Sequence, residues 1–156
     1  MKILLVFVLS LIVLTGMAQP PKNGNAKTPV VKKIKPKLTT RLGNYTDSAT
    51  IGVDELTALI LNPLQIADDK KNAYAITTYG LMYTRQGVTE NEDLDKTSPA
   101  TSSISSRFTT TPFPEIWMNN IRSQLKPGEE LYFYDVVVKD AQGKLWFAPN
   151  LKLRTR

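Results

Sequence analysis

Serine, lysine and carboxylate side chains are the groups with which this chain of 156 residues could do nucleophilic or acid–base chemistry, because it contains neither histidine nor cysteine. That removes Ser-His-Asp and Cys-His catalysis and the common zinc sites together. Ser123-Gln124-Leu125-Lys126 has the serine–lysine spacing of penicillin-binding proteins, in which the amine would take the serine proton. Its partner motifs are missing, and a lysine that complements a helix C-terminus accounts for the pair. The neighbouring acids Asp54-Glu55, Asp68-Asp69 and Glu129-Glu130 suggest paired glycosidase carboxylates, but residues adjacent in sequence rarely flank one bond. Glu90, Glu92, Asp93 and Asp95 gather in one stretch without the alternate oxygen ligands and following glycine of a calcium loop. No glycine-rich phosphate loop is present. No catalytic, cofactor-binding or metal-binding residue is therefore expected, and the chain reads as non-enzymatic.

Two short triplets carry modification chemistry instead. Asn44-Tyr45-Thr46 is an N-glycosylation pattern, and Asp47-Ser48-Ala49 matches the Asp-Ser/Thr-small triplet of bacterial periplasmic O-glycosylation, which makes Ser48 a candidate acceptor.

The opening residues say where such chemistry would take place. Lys2 precedes an apolar run from Ile3 to Leu14, and Gly16-Met17-Ala18 supplies small residues before Gln19. Residues 1–18 thus read as a signal peptide, and an uncleaved anchor is the alternative. The expected location is the periplasm, or the outside, of a Gram-negative cell, without stable membrane insertion once the signal is cut. Residues 19–36 form a basic Pro/Lys-rich linker too poor in apolar side chains to order itself. Net charge is +6, yet Lys22, Lys27, Lys32, Lys33, Lys35, Lys37 and Arg41 hold the excess. From Leu42 onward, 12 basic residues face 14 acidic ones, so the domain itself has no nucleic-acid character.

Residues 37–156 read as a single domain. Leu38 to Thr40 and Ala49 to Val53 favour extended chain, Asp54 caps the short helical stretch ELTALIL, and Pro63 stops it. Ala73 to Arg85, rich in aromatic and β-branched residues, predicts a mostly buried strand. Residues 87–102 are polar and acidic, a hairpin extension or a partner-contacting loop, and strand character resumes from Ser103 to Thr111. Pro114 and Glu115 open a helix with Trp117, Ile121 and Leu125 on one face, ended by Pro127-Gly128. In ELYFYDVVV, strict alternation puts Leu131, Phe133, Asp135 and Val137 on one face and Tyr132, Tyr134, Val136 and Val138 on the other, predicting a central strand covered on both sides. After a turn at Gly143, Leu151 and Leu153 point inward and the basic row Lys152, Arg154, Arg156 suits an exposed edge. The expected fold is mainly β: an antiparallel Ig-like sandwich with one short helix in a crossover connection.

The stretches AYAITTYGLMYTRQG, SISSRF and LKPGEELYFYDVVVKDAQGKLWFAPNLKLR resemble the C-terminal domain of the gliding-motility-associated GldM family, with Leu125, Pro127, Gly128, Phe133, Asp135, Asp140 and Gly143 at the matching places. The likeness covers residues 36 to 156. It implies an exported Ig-like domain that contacts envelope proteins of gliding and type IX secretion, here as a short stand-alone module. The cleavable signal and single domain depart from the family's membrane anchor and string of domains. The acidic residues Glu90, Glu92, Asp93 and Asp95 and the edge at Lys152 and Arg154 are the candidate partner contacts. The partner is an envelope protein, or a second copy of the chain. A carbohydrate- or peptidoglycan-binding module is the alternative, for which an exposed Trp117 or Trp146 would be diagnostic.

Overall fold

The computed structural model describes residues 35–91 and 96–156. The expected signal peptide and nearly all of the linker lie outside the described residues. Period-two alternation sets the short strands. In β1 (Leu38–Leu42) Leu38, Thr40 and Leu42 are buried, and in β3 (Leu64–Asp68) Leu64 and Ile66 are. β2 (Ala49–Ile51) leads into α1 (Val53–Leu59), which buries Leu56. Its N-cap is Gly52 rather than the expected Asp54, which sits in the first turn, where a carboxylate still favours the helix dipole.

The rest comprises β4 (Ala73–Asn91), β5 (Lys96–Phe108), α2 (Glu115–Gln124), β6 (Glu130–Lys139), β7 (Leu145–Phe147) and β8 (Leu151–Thr155). Polar residues 87–91 and 96–102 are therefore strand, extending the hairpin, because each pairs across it from Arg85↔Ser102 to Asn91↔Lys96. β3 went unanticipated, as its signal is only Leu64 and Ile66 around Gln65.

The strands form one curled sheet in the order β1-β3-β4-β6-β8-β2, with β5 on the far edge of β4 and β7 beside β6. The fold is mainly β, and its sheet is mixed. β2 runs parallel to β8, from Ala49↔Leu153 to Ile51↔Thr155, which overturns the all-antiparallel expectation. No tight turn joins these strands, so nothing local dictates their direction. α2 links β5 to β6, on opposite edges of β4, and so crosses β4 as the expected helical connection.

β6 departs from strict alternation. Asp135 takes a left-handed φ of 49°, and the register with β4 shifts between Thr78↔Val137 and Gly80↔Tyr134. One extra residue inverts the phase, as a β-bulge must. Leu131, Phe133, Val136 and Val138 therefore share the buried face, while Tyr132, Tyr134, Asp135 and Val137 face outward. β6 is covered on one side only.

The hairpins β3–β4 and β6–β7 turn in the same way. Asp68 Oδ1 accepts the N–H of Lys70 and Asn72 at 2.9 and 2.8 Å, and Asp140 Oδ1 accepts those of Gln142 and Lys144 at 3.0 and 2.8 Å. The fourth residue of each turn needs positive φ. Gly143 supplies it at 82° without strain, whereas Lys71 holds 65° against its own Cβ.

Residues of all these elements meet in one core. Tyr79, Phe108, Phe113, Trp117 and Phe133 form its aromatic heart, with Phe108 and Trp117 edge to face at 5.4 Å. The Tyr79 hydroxyl donates to Thr110 O at 3.0 Å, and burial pushes that phenol's pKa up. β1 closes over the same core through Thr40, whose hydroxyl donates to Pro149 O at 2.6 Å.

Candidate functional site

The outward face of β5, β4, β6, β8 and β2 is built in rows by the register. Arg107, Gly80 and Tyr134 make the first, Ser105, Met82, Tyr132 and Lys152 the second, and Ser103, Thr84, Glu130, Arg154 and Thr50 the third. Glycine at 80 has a packing reason. A Cβ there would lie 2.3 to 2.6 Å from ring atoms of Tyr134, so the ring rests on the bare backbone. Tyr132 stacks on Tyr134 at 5.7 Å with 20° between planes. Asn150 Nδ2 donates to the Tyr132 hydroxyl at 2.7 Å, and Lys152 Nζ lies 5.2 Å from that ring's centroid and 3.1 Å from Glu130 Oε1. Across the face, Arg107 pairs with Asp135 at 2.9 Å, and both are exposed. The result is a fixed aromatic surface ringed by charges, with donors and acceptors on either side.

A second feature sits where the Pro127-Gly128 corner meets the end of β8. Glu129 is 2% exposed, and its Oε2 accepts the Tyr83 hydroxyl and the N–H of Lys126, the latter at 3.0 Å. Its own N–H donates to Thr155 Oγ1 at 2.9 Å. The two bonds to Oε2 serve a carboxylate that would otherwise be costly to bury. Burial first, and the Glu129 bond second, push the Tyr83 pKa up. Arg85 lies over the Tyr83 ring at 5.2 Å and donates to Gln124 Oε1 at 2.5 Å, tying β4 to the end of α2. A groove of about 520 Å³ opens here between the β4–β5 hairpin and α2, lined by Arg85, Ser102, Ser123, Gln124, Lys126 and Glu129 among others.

The sequence-derived candidates fall apart in space. Lys152 and Arg154 are exposed as expected, but β8 is not an edge strand: β6 lies on one side and β2 flanks Leu153 to Thr155 on the other, with Lys152 just past the end of β2. The three residues of β2 hide too little alternation to reveal that pairing. Glu90 belongs to β4, while Glu92, Asp93 and Asp95 lie outside the described residues. Ser48 is exposed in the connection before β2. Ser123 and Lys126 border one groove, but the Ser123 hydroxyl donates to Asn120 O at 3.0 Å within its own helix and does not meet the amine. Neither tryptophan is fully exposed. Trp117 is half-buried against Phe108, and Trp146 donates its indole N–H to Asp140 at 2.8 Å beneath Lys144 Nζ at 3.8 Å.

Sequence reasoning missed Tyr132 and Tyr134 as surface residues and Arg85, Gln124 and Glu129 as a cluster. The tyrosines become legible only with the bulge at Asp135; the cluster joins β4, α2 and β6 and leaves no local signal. Among the described residues no group of three acidic side chains is placed to hold a metal ion, and no helix is long and apolar enough to cross a membrane. No protein-family model matches the chain, and no curated protein matches it significantly.

Proposed function

We propose that this chain is a non-enzymatic protein–protein interaction module exported to the periplasm of a Gram-negative bacterium, an accessory of an envelope complex of the GldM-like gliding and type IX secretion kind. The observation that carries this reading is the outward sheet face. A face that had only to stay wet would need no immobilised aromatics, whereas Tyr134 rests on Gly80, Tyr132 stacks on Tyr134, and Lys152, Arg154 and Arg107 frame the pair. Tyrosine and arginine are the residues enriched at interface centres. The curl that brings β1 and β3 into the same core as β6 and β8 is read as this chain's version of the family's Ig-like sandwich. Affinity capture with the full chain, crosslinked in the envelope of the cells that make it, tests the proposal. Recovery of motility or secretion proteins that is lost with Lys152→Glu/Arg154→Glu and with Tyr132→Ala/Tyr134→Ala supports it. Capture unchanged by both double variants would show that this face is not the contact.

The same tyrosine pair favours one rival, a carbohydrate- or peptidoglycan-binding module, since partly exposed rings flanked by hydroxyls and an amide also suit sugar rings. Retention of the chain on purified peptidoglycan, abolished by Tyr132→Ala/Tyr134→Ala, would select that reading.

A further inference from the structure

Among the described residues, β5 is a long strand with one open edge. It pairs with β4 without a break from Asn91↔Lys96 to Tyr79↔Phe108, and among the described residues no strand lies on its other side. Proteins commonly guard such an edge with charge, proline or a bulge. Between Ala100 and Ser106 this edge has none of them. β7, also free on one side, is only three residues long.

What flanks the edge gives it a wall and a chemistry. The polar groove at Ala100 to Ser102 is joined along the strand by an apolar hollow of about 220 Å³ between Ile104 and the α2 residues Ile116 and Trp117. Arg85 lines both, so they form one trough between strand edge and helix. Ile116 is 77% exposed at its rim, on a helix whose Ile121 is fully buried. At the polar end Arg85 and Lys126 bring positive charge, and among the described residues neither has a carboxylate partner within ion-pair distance. Gln124 fixes the Arg85 guanidinium in place. The nearby Glu129 carboxylate turns inward to the Tyr83 hydroxyl and the Lys126 N–H.

Building on the reading of the chain as a protein-interaction module, we propose that this trough receives an extended segment of the partner protein, added as a strand beside β5. Ser102 and Ile104 are alternate residues on one side of β5, opposite Arg85 and Tyr83. A strand paired there places its own i and i+2 side chains over the two hollows. The segment therefore carries an acidic side chain for Arg85 and Lys126 and an apolar one, two residues away, for Ile104, Ile116 and Trp117. Backbone bonds to β5 supply affinity, and the two side chains supply direction and choice.

The test is fluorescence anisotropy and amide chemical-shift mapping of the full chain with ten-residue Thr/Val peptides bearing Glu and Ile at i and i+2. Control peptides carry Lys for Glu, or a proline between the two. The Glu/Ile peptide is expected to shift amides of β5 and α2, to lose at least tenfold in affinity with either control, and to weaken at least tenfold against Ile116→Asp. Because Ile116 is exposed, that variant keeps its fold even where Arg85→Gln does not. Shifts confined to the tyrosine face, affinity indifferent to Ile116→Asp and to the controls, or no binding by any peptide would overturn the proposal. So would a dimer in sedimentation that Ile116→Asp dissociates, which would assign the edge to a second copy. Envelope capture separates the two levels. Partner proteins still recovered by Ile116→Asp refute the trough alone, and no partner with the wild-type chain refutes the interaction module itself.

Discussion

Replacing Tyr83 by Phe removes one hydroxyl and little else, because the ring is fully buried and keeps its packing. The lost atom donates to a carboxylate that is 2% exposed, so Glu129 Oε2 would retain the Lys126 N–H. A hydrogen bond to a buried charge contributes about 1.5–3 kcal/mol. That is a sizeable part of the roughly 5–15 kcal/mol that holds a domain together. For a chain of this size it corresponds to a melting temperature lower by about 5–10 °C. The sign with pH follows from the raised Tyr83 pKa. The unfolded phenol ionises near pH 10 and the folded one above it, so the stability from this group is whole below pH 10 and is lost as pH rises beyond it, at about 1.4 kcal/mol per pH unit. Tyr79, also raised, gives wild type and variant the same loss. The deficit of Tyr83→Phe should therefore be constant from pH 7 to 9 and shrink above pH 10. Urea unfolding at stepped pH, followed by tryptophan fluorescence, measures it. A deficit below about 0.5 kcal/mol at neutral pH, or one that does not narrow at alkaline pH, would refute the assignment of Tyr83 as donor to a buried carboxylate.

The remaining predictions concern turns, core and modification. Lys71→Gly should stabilise the chain by about 1 kcal/mol, since the φ of 65° strains every side chain but glycine, and a higher urea midpoint at unchanged slope would show it. Asp68 is held below the usual carboxylate range by Asn72, and Asp140 by the Trp146 indole N–H, so their stabilisation is present above about pH 4 and lost as pH falls below it. Thermal melts from pH 6 to 2 should show that loss reduced in Asp140→Ala, with Trp146 emission shifted. Phe133→Ala should cost about 3–5 kcal/mol, because the ring is 1% exposed between Tyr79 and the β8 leucines, and circular dichroism melts would register it. If Ser48 carries a glycan, the intact mass of the native protein exceeds that of its unmodified mature chain and Ser48→Ala removes the excess.

Much of the fold was legible where one residue type dominates its neighbourhood. The Pro114-Glu115 start and Ile121 face announce α2, and Gly143 announces its turn, since local backbone chemistry decides them. The face assignment of β6 failed for the opposite reason. Asp135 is an ordinary polar letter in the sequence, yet its left-handed conformation moves Val136 into the core and leaves Val137 outside. The candidate site suffered likewise. Lys152 and Arg154 read correctly as exposed, but whether β8 is an edge depends on β2, distant in sequence and adjacent in space.

By itself the sequence determined what this protein cannot use, histidine and cysteine chemistry, and it determined α2 and the turn at Gly143, because periodicity, proline and glycine act within a few residues. The tertiary structure alone decided that β8 is interior, that β5 is open, and that Tyr83 and Glu129 meet beneath Arg85. Strand neighbours and buried polar pairs are chosen by burial and hydrogen bonding between distant segments, and those energies have no period along the chain for a sequence to display.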